Sequence, residues 1–153
     1  MSIINHIKVE KLKSKYILDE HDCLTIDGVA LDIKLHEIYP NEQFLGLVPV
    51  IVDWLNFEEE KTLVRSRYHS NEKMKILPIL MCPDDCDFYC TLIVAEVMLE
   101  DEEVIWNRIG MDATNITNSI EEVGKKVQWL ELMPILRFKK TDYYKELNLI
   151  YGL

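Results

Sequence analysis

Glycine and proline are scarce, five of each in 153 residues. That excludes collagen-like and low-complexity chains, and with 48% apolar residues it describes a globular protein. No apolar run approaches the roughly 20 residues that span a bilayer. The N-terminal stretch MSIINHIKVEKLKSKY is interrupted by lysines and has no secretory apolar core. A cytoplasmic location is therefore expected, with all four cysteines reduced. The Asn115-Ile116-Thr117 glycosylation sequon then has no consequence. Repeats and Gly/Ser/Pro linkers are also missing. One domain over residues 1–153 follows, long enough to bury roughly 70% of the unfolded chain's surface.

Catalytic motifs are missing too. The glycines stand singly, so there is no P-loop and no G-x-G-x-x-G, and no G-x-S-x-G appears. His6, His21, His36 and His69 show no H-E-x-x-H or comparable spacing. The expectation is a protein that is not an enzyme and needs no cofactor.

Positive charge is short. Seventeen basic residues face 27 acidic ones, for a net charge of −10. That sign argues against nucleic acid or an anionic membrane as the partner. The distribution is uneven, because residues 76–107 hold eight carboxylates and no lysine or arginine. Lys8, Lys11, Lys13 and Lys15 make the N-terminal segment basic, and Arg137, Lys139, Lys140 and Lys145 do the same near the C-terminus. The plain alternative is that the acidity serves solubility.

The first half reads as mostly helical. Leu24-Thr25-Ile26 suits a short strand ended by the turn dipeptide Asp27-Gly28. VALDIKLHEIY over 29–39 predicts a helix stopped by Pro40, and the apolar run 44–55 predicts a buried helix. Asn56 is placed to cap a further helix, with Glu58, Glu59 and Glu60 in its first turn and Arg65 and Arg67 near its end. The second half changes character. Residues 76–81 suit a strand with Pro78 at an edge or bulge. FYCTLIVAEVML over 88–99 is rich in β-branched and aromatic residues and predicts a central strand. A Glu100-Asp101-Glu102-Glu103 turn joins it to a partner over 104–109. A strand over 127–132 and a helix over 142–150, capped by Thr141, complete the chain. The expected fold is α+β, a helical N-terminal half followed by an antiparallel β-meander and a C-terminal helix.

The stretch 82-CPDDCDFYC-90 spaces Cys82, Cys86 and Cys90 four apart. A closed zinc site wants four ligands in short-spaced pairs, and Cys23 lies far upstream without a partner. The spacing matches neither common iron–sulfur runs nor a C-x-x-C redox centre. A structural role is the expectation, and a metal-binding regulator built on the three cysteines is the alternative. Pro83-Asp84-Asp85 reads as a turn presenting Asp84, Asp85 and Asp87. The EF-hand pattern is absent there. Glu100, Asp101, Glu102 and Glu103 form a second acidic tip, separated from the first by twelve residues, roughly 40 Å when extended. Glu96 is the one charge inside the apolar run 91–99. It is either a general acid of an unfamiliar enzyme or the partner of Asn107 or Arg108 across the hairpin, according to register. Trp54, Trp106 and Trp129 read as core.

Taken with 77-LPILMCPDDCDFYCTLIVAEV-97, 104-VIWNRIG-110 and 127-VQWLELMP-134, the chain resembles the immunity proteins of bacterial contact-dependent and polymorphic toxin systems. The resemblance implies a bacterial inhibitor whose acidic surface occludes the basic cleft of a cognate nuclease-type toxin. In that reading Asp84, Asp85, Asp87 and Glu100–Glu103 supply charge, and Tyr89 supplies an anchor.

Overall fold

The computed structural model describes residues 3–114 and 119–152, so the sequon lies outside the described residues. Nine strands in two antiparallel sheets and three α-helices make up those residues. The N-terminal half is strand-rich, which overturns the expected helical half.

The first sheet has the order β1-β2-β3, with β1 at Ile7–Leu12, β2 at His21–Ile26 and β3 at Val29–Ala30. In β1 Lys8, Glu10 and Lys11 interrupt Ile7 and Val9, a composition that hides a strand but suits the end strand of a sheet. Asp27 and Gly28 join β2 to β3 with φ of 52° and 83°, the left-handed pair that a two-residue hairpin turn demands. Asp27 also accepts from the His6 backbone N–H at 2.8 Å and from Asn5 Nδ2 at 2.7 Å, pinning the strand ends together.

Helix α1 (Leu31–Ile38) follows directly and buries Leu31, Asp32 and Leu35. The run 44–55 is not a helix. Gly46 takes a φ of 97°, Val48–Pro49 forms the short strand β4, and Val52–Trp54 makes one 3₁₀ turn. It is apolar because both of its sides are buried, not because one helical face is.

Helix α2 (Glu58–His69) is where the charge order placed it, acidic at its start and basic at its end. Its buried face repeats every four residues: Glu60, Val64 and Tyr68. Asn56 does not cap it. Phe57 holds that position without a side-chain bond, and Asn56 is committed elsewhere.

The larger sheet runs β4-β5-β6-β7, with β5 at Met74–Met81, β6 at Leu92–Leu99 and β7 at Glu103–Asp112. β6 lies between two full partners, and Leu92, Ile93, Val94, Ala95 and Val97 are buried. The β5 register skips at Pro78 and Leu80, so proline sits beside a bulge. The bulge residue Ile79 uses its carbonyl to accept from Val50 N–H at 3.1 Å. Beyond β7, strands β8 (Val127–Trp129) and β9 (Leu136–Lys139) lie end to end along the same edge. A Cβ on Gly110 would come within 2.5 Å of Val127 Cγ1 and 2.8 Å of the Gln128 carbonyl, so β8 docks there only against glycine.

Helix α3 (Lys140–Tyr151) closes the chain and buries Tyr143, Leu147, Ile150 and Tyr151. It starts at Lys140, after Lys139, and not behind a Thr141 cap. Its aromatic face meets Tyr68 of α2 and Trp106 of β7. Trp106 Nε1 donates to the Tyr143 hydroxyl at 3.1 Å, Tyr68 donates to Asn148 Oδ1 at 2.7 Å, and Tyr151 donates to the Pro78 carbonyl at 2.7 Å. The Val9 N–H of β1 donates to Glu146 Oε1 at 2.9 Å, so the same helix also covers the first sheet's edge. One apolar core thus joins both sheets. No helix among the described residues is long and apolar enough to cross a membrane.

Candidate functional site

The turn between β5 and β6 is built from residues 82–91. Cys82 and Cys90 close it with a disulfide, their Cα atoms 6.1 Å apart, within the separation a disulfide requires. The expectation of four reduced cysteines is corrected for this pair. The turn brings the ends of two antiparallel strands together and with them the two sulfurs. Cys90 also lies ahead of β6, which begins at Leu92, and is exposed rather than inside the hairpin. Cys23 and Cys86 are free thiols. Cys86 adopts a φ of 49° and donates its thiol to the Pro83 carbonyl at 3.3 Å. Burial, then the charges of Asp87, Asp85 and Asp84, push that thiol's pKa up, which makes it a poor nucleophile and a poor metal ligand. Among the described residues no three His, Cys, Asp or Glu side chains gather as a metal site.

Three bonds fasten this turn to the start of α2. Asn56 donates its side-chain amide to the Asp85 carbonyl at 2.6 Å and its backbone N–H to the Cys86 carbonyl at 3.3 Å. The third is Phe88 N–H to Glu60 Oε2 at 2.9 Å. Glu60 is 1% exposed, and its Oε1 has no hydrogen-bond partner among the described residues. Burial first, then the nearby Asp87 and Glu59 carboxylates, raise its pKa to about 7. Phe88 is buried, while its neighbours face solvent.

What the turn presents is specific. Asp84 and Asp85 are exposed, and Asp87 accepts from Tyr89 N–H at 2.9 Å in a local turn that fixes the next residue. Tyr89 is 67% exposed and packs edge-on against Phe57, 49% exposed, with ring centroids 6.4 Å apart. Glu58 and Glu59 follow Phe57 on the first turn of α2. Lys61, paired with Glu58 at 3.5 Å, is the cation that reaches in. The result is an exposed aromatic pair, with Glu58 and Glu59 next to Phe57 and Asp84, Asp85 and Asp87 on the turn that carries Tyr89, on a cross-linked, hydrogen-bonded base. Phe57, Glu58 and Glu59 were not among the residues expected here. The order of charge in α2 pointed to a helix start, and nothing in sequence order joins residue 57 to residue 89.

The second tip has another character. Glu100, Asp101 and Glu102 are exposed, but Glu103 is half-buried and pairs with Arg137 Nη1 at 2.8 Å. Glu103 also lies opposite Lys139, and Lys140 N–H donates to the Glu102 carbonyl at 2.9 Å. Arg137 of β9 therefore compensates one of this tip's four carboxylates, Glu103. The two tips sit at opposite ends of β6, whose eight residues span about 26 Å, less than the twelve-residue strand expected.

Glu96 is settled by register. It lies opposite Arg108, and a bulge at Asn107 turns that residue towards it as well. Arg108 donates to Glu96 through Nε at 3.2 Å and Nη2 at 2.9 Å, and Asn107 Nδ2 stands at 3.5 Å. The guanidinium also lies 4.1 Å from the Trp129 ring centroid. This carboxylate is spent on a fork-shaped ion pair.

No protein-family model, no curated protein and no solved structure matches the chain. The fold and surface define a two-sheet antiparallel protein with an acidic, aromatic face.

Proposed function

We propose that the protein is a non-catalytic binding protein that masks a basic site on a protein partner through the Phe57–Tyr89 face. The observation that carries this reading is the exposed Phe57–Tyr89 pair between two acidic segments, the start of α2 and the Asp84–Asp87 turn. Exposed tyrosine anchors are characteristic of interaction hot spots, and charge of one sign beside them steers a partner of opposite charge. The support beneath them costs little entropy to organise, because the disulfide and the Asn56 and Glu60 contacts already hold the turn. Asp84, Asp85, Asp87, Glu58 and Glu59 would stand where phosphates stand on a nuclease, and Tyr89 would fill an adjacent apolar recess. The partner class that fits is a nuclease-type bacterial toxin, with this chain as its immunity protein. Of the two acidic tips, the Asp84–Asp87 turn is favoured over Glu100–Glu103, because it carries the exposed aromatic pair and because Glu103 is paired with Arg137.

The test is capture of partners from host extract on the tagged protein at about 0.05 M and about 0.5 M salt. The reading expects a stoichiometric basic protein, held at low salt and weakened at high salt. It further expects that protein's nuclease activity to vanish in the complex. A partner that is acidic, or held equally at both salts, counts against it.

A further inference from the structure

A second feature lies in the seam between the two sheets and shares no residue with the aromatic face. A cavity of about 490 Å³ opens between the β1–β2 hairpin, α1 and the segment that leads into β4. That volume lies within the range of small-molecule sites, about 300–1,000 Å³. Its wall is almost wholly apolar, with Leu24, Leu31, Leu47 and Leu80 among its lining residues. The two polar groups in the wall are already engaged. Asp32 accepts from Gly46 N–H at 2.9 Å, and the Cys23 thiol donates to the Leu12 carbonyl at 3.7 Å. Burial pushes the Cys23 thiol up to about 11, so it stays neutral. Nothing inside asks for a polar ligand body.

The mouth is different. Lys13, Ser14 and Lys15 line it, and both lysines are exposed. Among the ion pairs of the described residues neither takes part. On a chain of net charge −10, Lys13 and Lys15, flanking Ser14 and outside those ion pairs, put two positive charges at the rim of an apolar cavity, with Lys15 Nζ 5.0 Å from the Tyr16 ring centroid. The loop that carries them is fixed. Ser14 Oγ bonds His21 Nε2 at 3.0 Å, and Tyr16 lies so close over Gly46 that a Cβ there would meet its ring at 2.5 Å.

We propose that this cavity binds a linear amphipathic carboxylate, with its acyl chain in the seam and its head group on Lys13 and Lys15. The apolar wall selects the chain, and the rim lysines select an anion over a cation of the same length. The site is separate from the acidic face and does not depend on the function assigned to it.

The experiment is titration calorimetry of the full chain with octanoate, decanoate and dodecanoate, and with decylammonium as the control. Burial of one methylene is expected to tighten binding about fourfold until the cavity is full. K13E/K15E should weaken decanoate at least tenfold and keep the dependence on chain length. I33W, at a mouth residue that is 41% exposed, should abolish that dependence, with melting temperature confirming that both variants fold. Absence of saturable binding by any carboxylate, or equal binding of decylammonium, overturns the proposal. So does decanoate affinity unchanged in K13E/K15E. Because those lysines are exposed, that variant decides the matter even if I33W does not fold.

Discussion

Replacing Glu60 with glutamine should remove a pH dependence of stability that the wild-type protein carries between about pH 4.5 and about pH 7. The carboxyl's ordinary value is 4.5 and its folded value is about 7. Below the lower figure it is protonated in both states and its burial is inexpensive. As pH rises, the unfolded chain ionises first while the folded chain keeps its proton, so unfolding releases a proton and stability falls. Above about pH 7 both states are ionised and the whole difference is lost. A separation of this size corresponds to about 3 kcal/mol, a large share of the 5–15 kcal/mol typical of a domain.

The assay is urea unfolding of wild type and E60Q, followed by tryptophan fluorescence, from about pH 5 to about pH 9. Glutamine keeps an acceptor for Phe88 N–H, so any fixed offset between the two proteins is independent of pH. All other titratable groups are common to the two proteins and cancel in the difference. That difference should move in favour of E60Q by about 2–3 kcal/mol as pH rises. A difference constant to within about 0.5 kcal/mol would refute a buried carboxyl held by a single backbone N–H.

Three further substitutions test the frame around the two sites. Y151F removes the 2.7 Å bond to the Pro78 carbonyl in the buried bulge and should cost about 1–3 kcal/mol in chemical denaturation. G124A places a side chain at a φ of 94° and within 2.8 Å of Ile76 Cγ2, and should cost at least about 1 kcal/mol, read as a lower melting temperature. R108A strands the half-buried Glu96 and should cost about 1–3 kcal/mol, whereas adding E96Q to R108A should recover part of that loss.

The β6–β7 hairpin was legible because β-branched and aromatic residues crowd a run that ends in an acidic turn, and burial on both faces left no alternation to misread. Helix α2 was legible from the order of its charges. The first sheet was not. Ile7 to Leu12 is an edge strand whose Lys8, Glu10 and Lys11 serve the solvent side, and Val9 alone marks its inner side with Ile7. The run 44–55 misled for the opposite reason: a segment buried on all sides has no period, and Gly46 with its φ of 97° breaks any helix there. Of the binding face, Asp84, Asp85, Asp87 and Tyr89 could be found as a turn. Phe57 could not, because its contact with Tyr89 is made by tertiary packing. Glu60 looked like one more helix-start carboxylate. The available signal was its spacing of four from Val64 and of eight from Tyr68, which puts it on the buried face. The Cys82–Cys90 bond went unread because a cytoplasmic location argues against disulfides, although the turn geometry favours that pair.

The central claim is that the Phe57–Tyr89 face and its carboxylates engage a basic partner. It is tested most directly by association kinetics of the captured partner with wild type, D84K/D85K, Y89A and E102K/E103K. The account predicts at least about a tenfold slower association for D84K/D85K, with the salt dependence reduced. It predicts a loss of about 2 kcal/mol in affinity for Y89A and near-wild-type behaviour for E102K/E103K. Wild-type rates and affinity in both D84K/D85K and Y89A would contradict it.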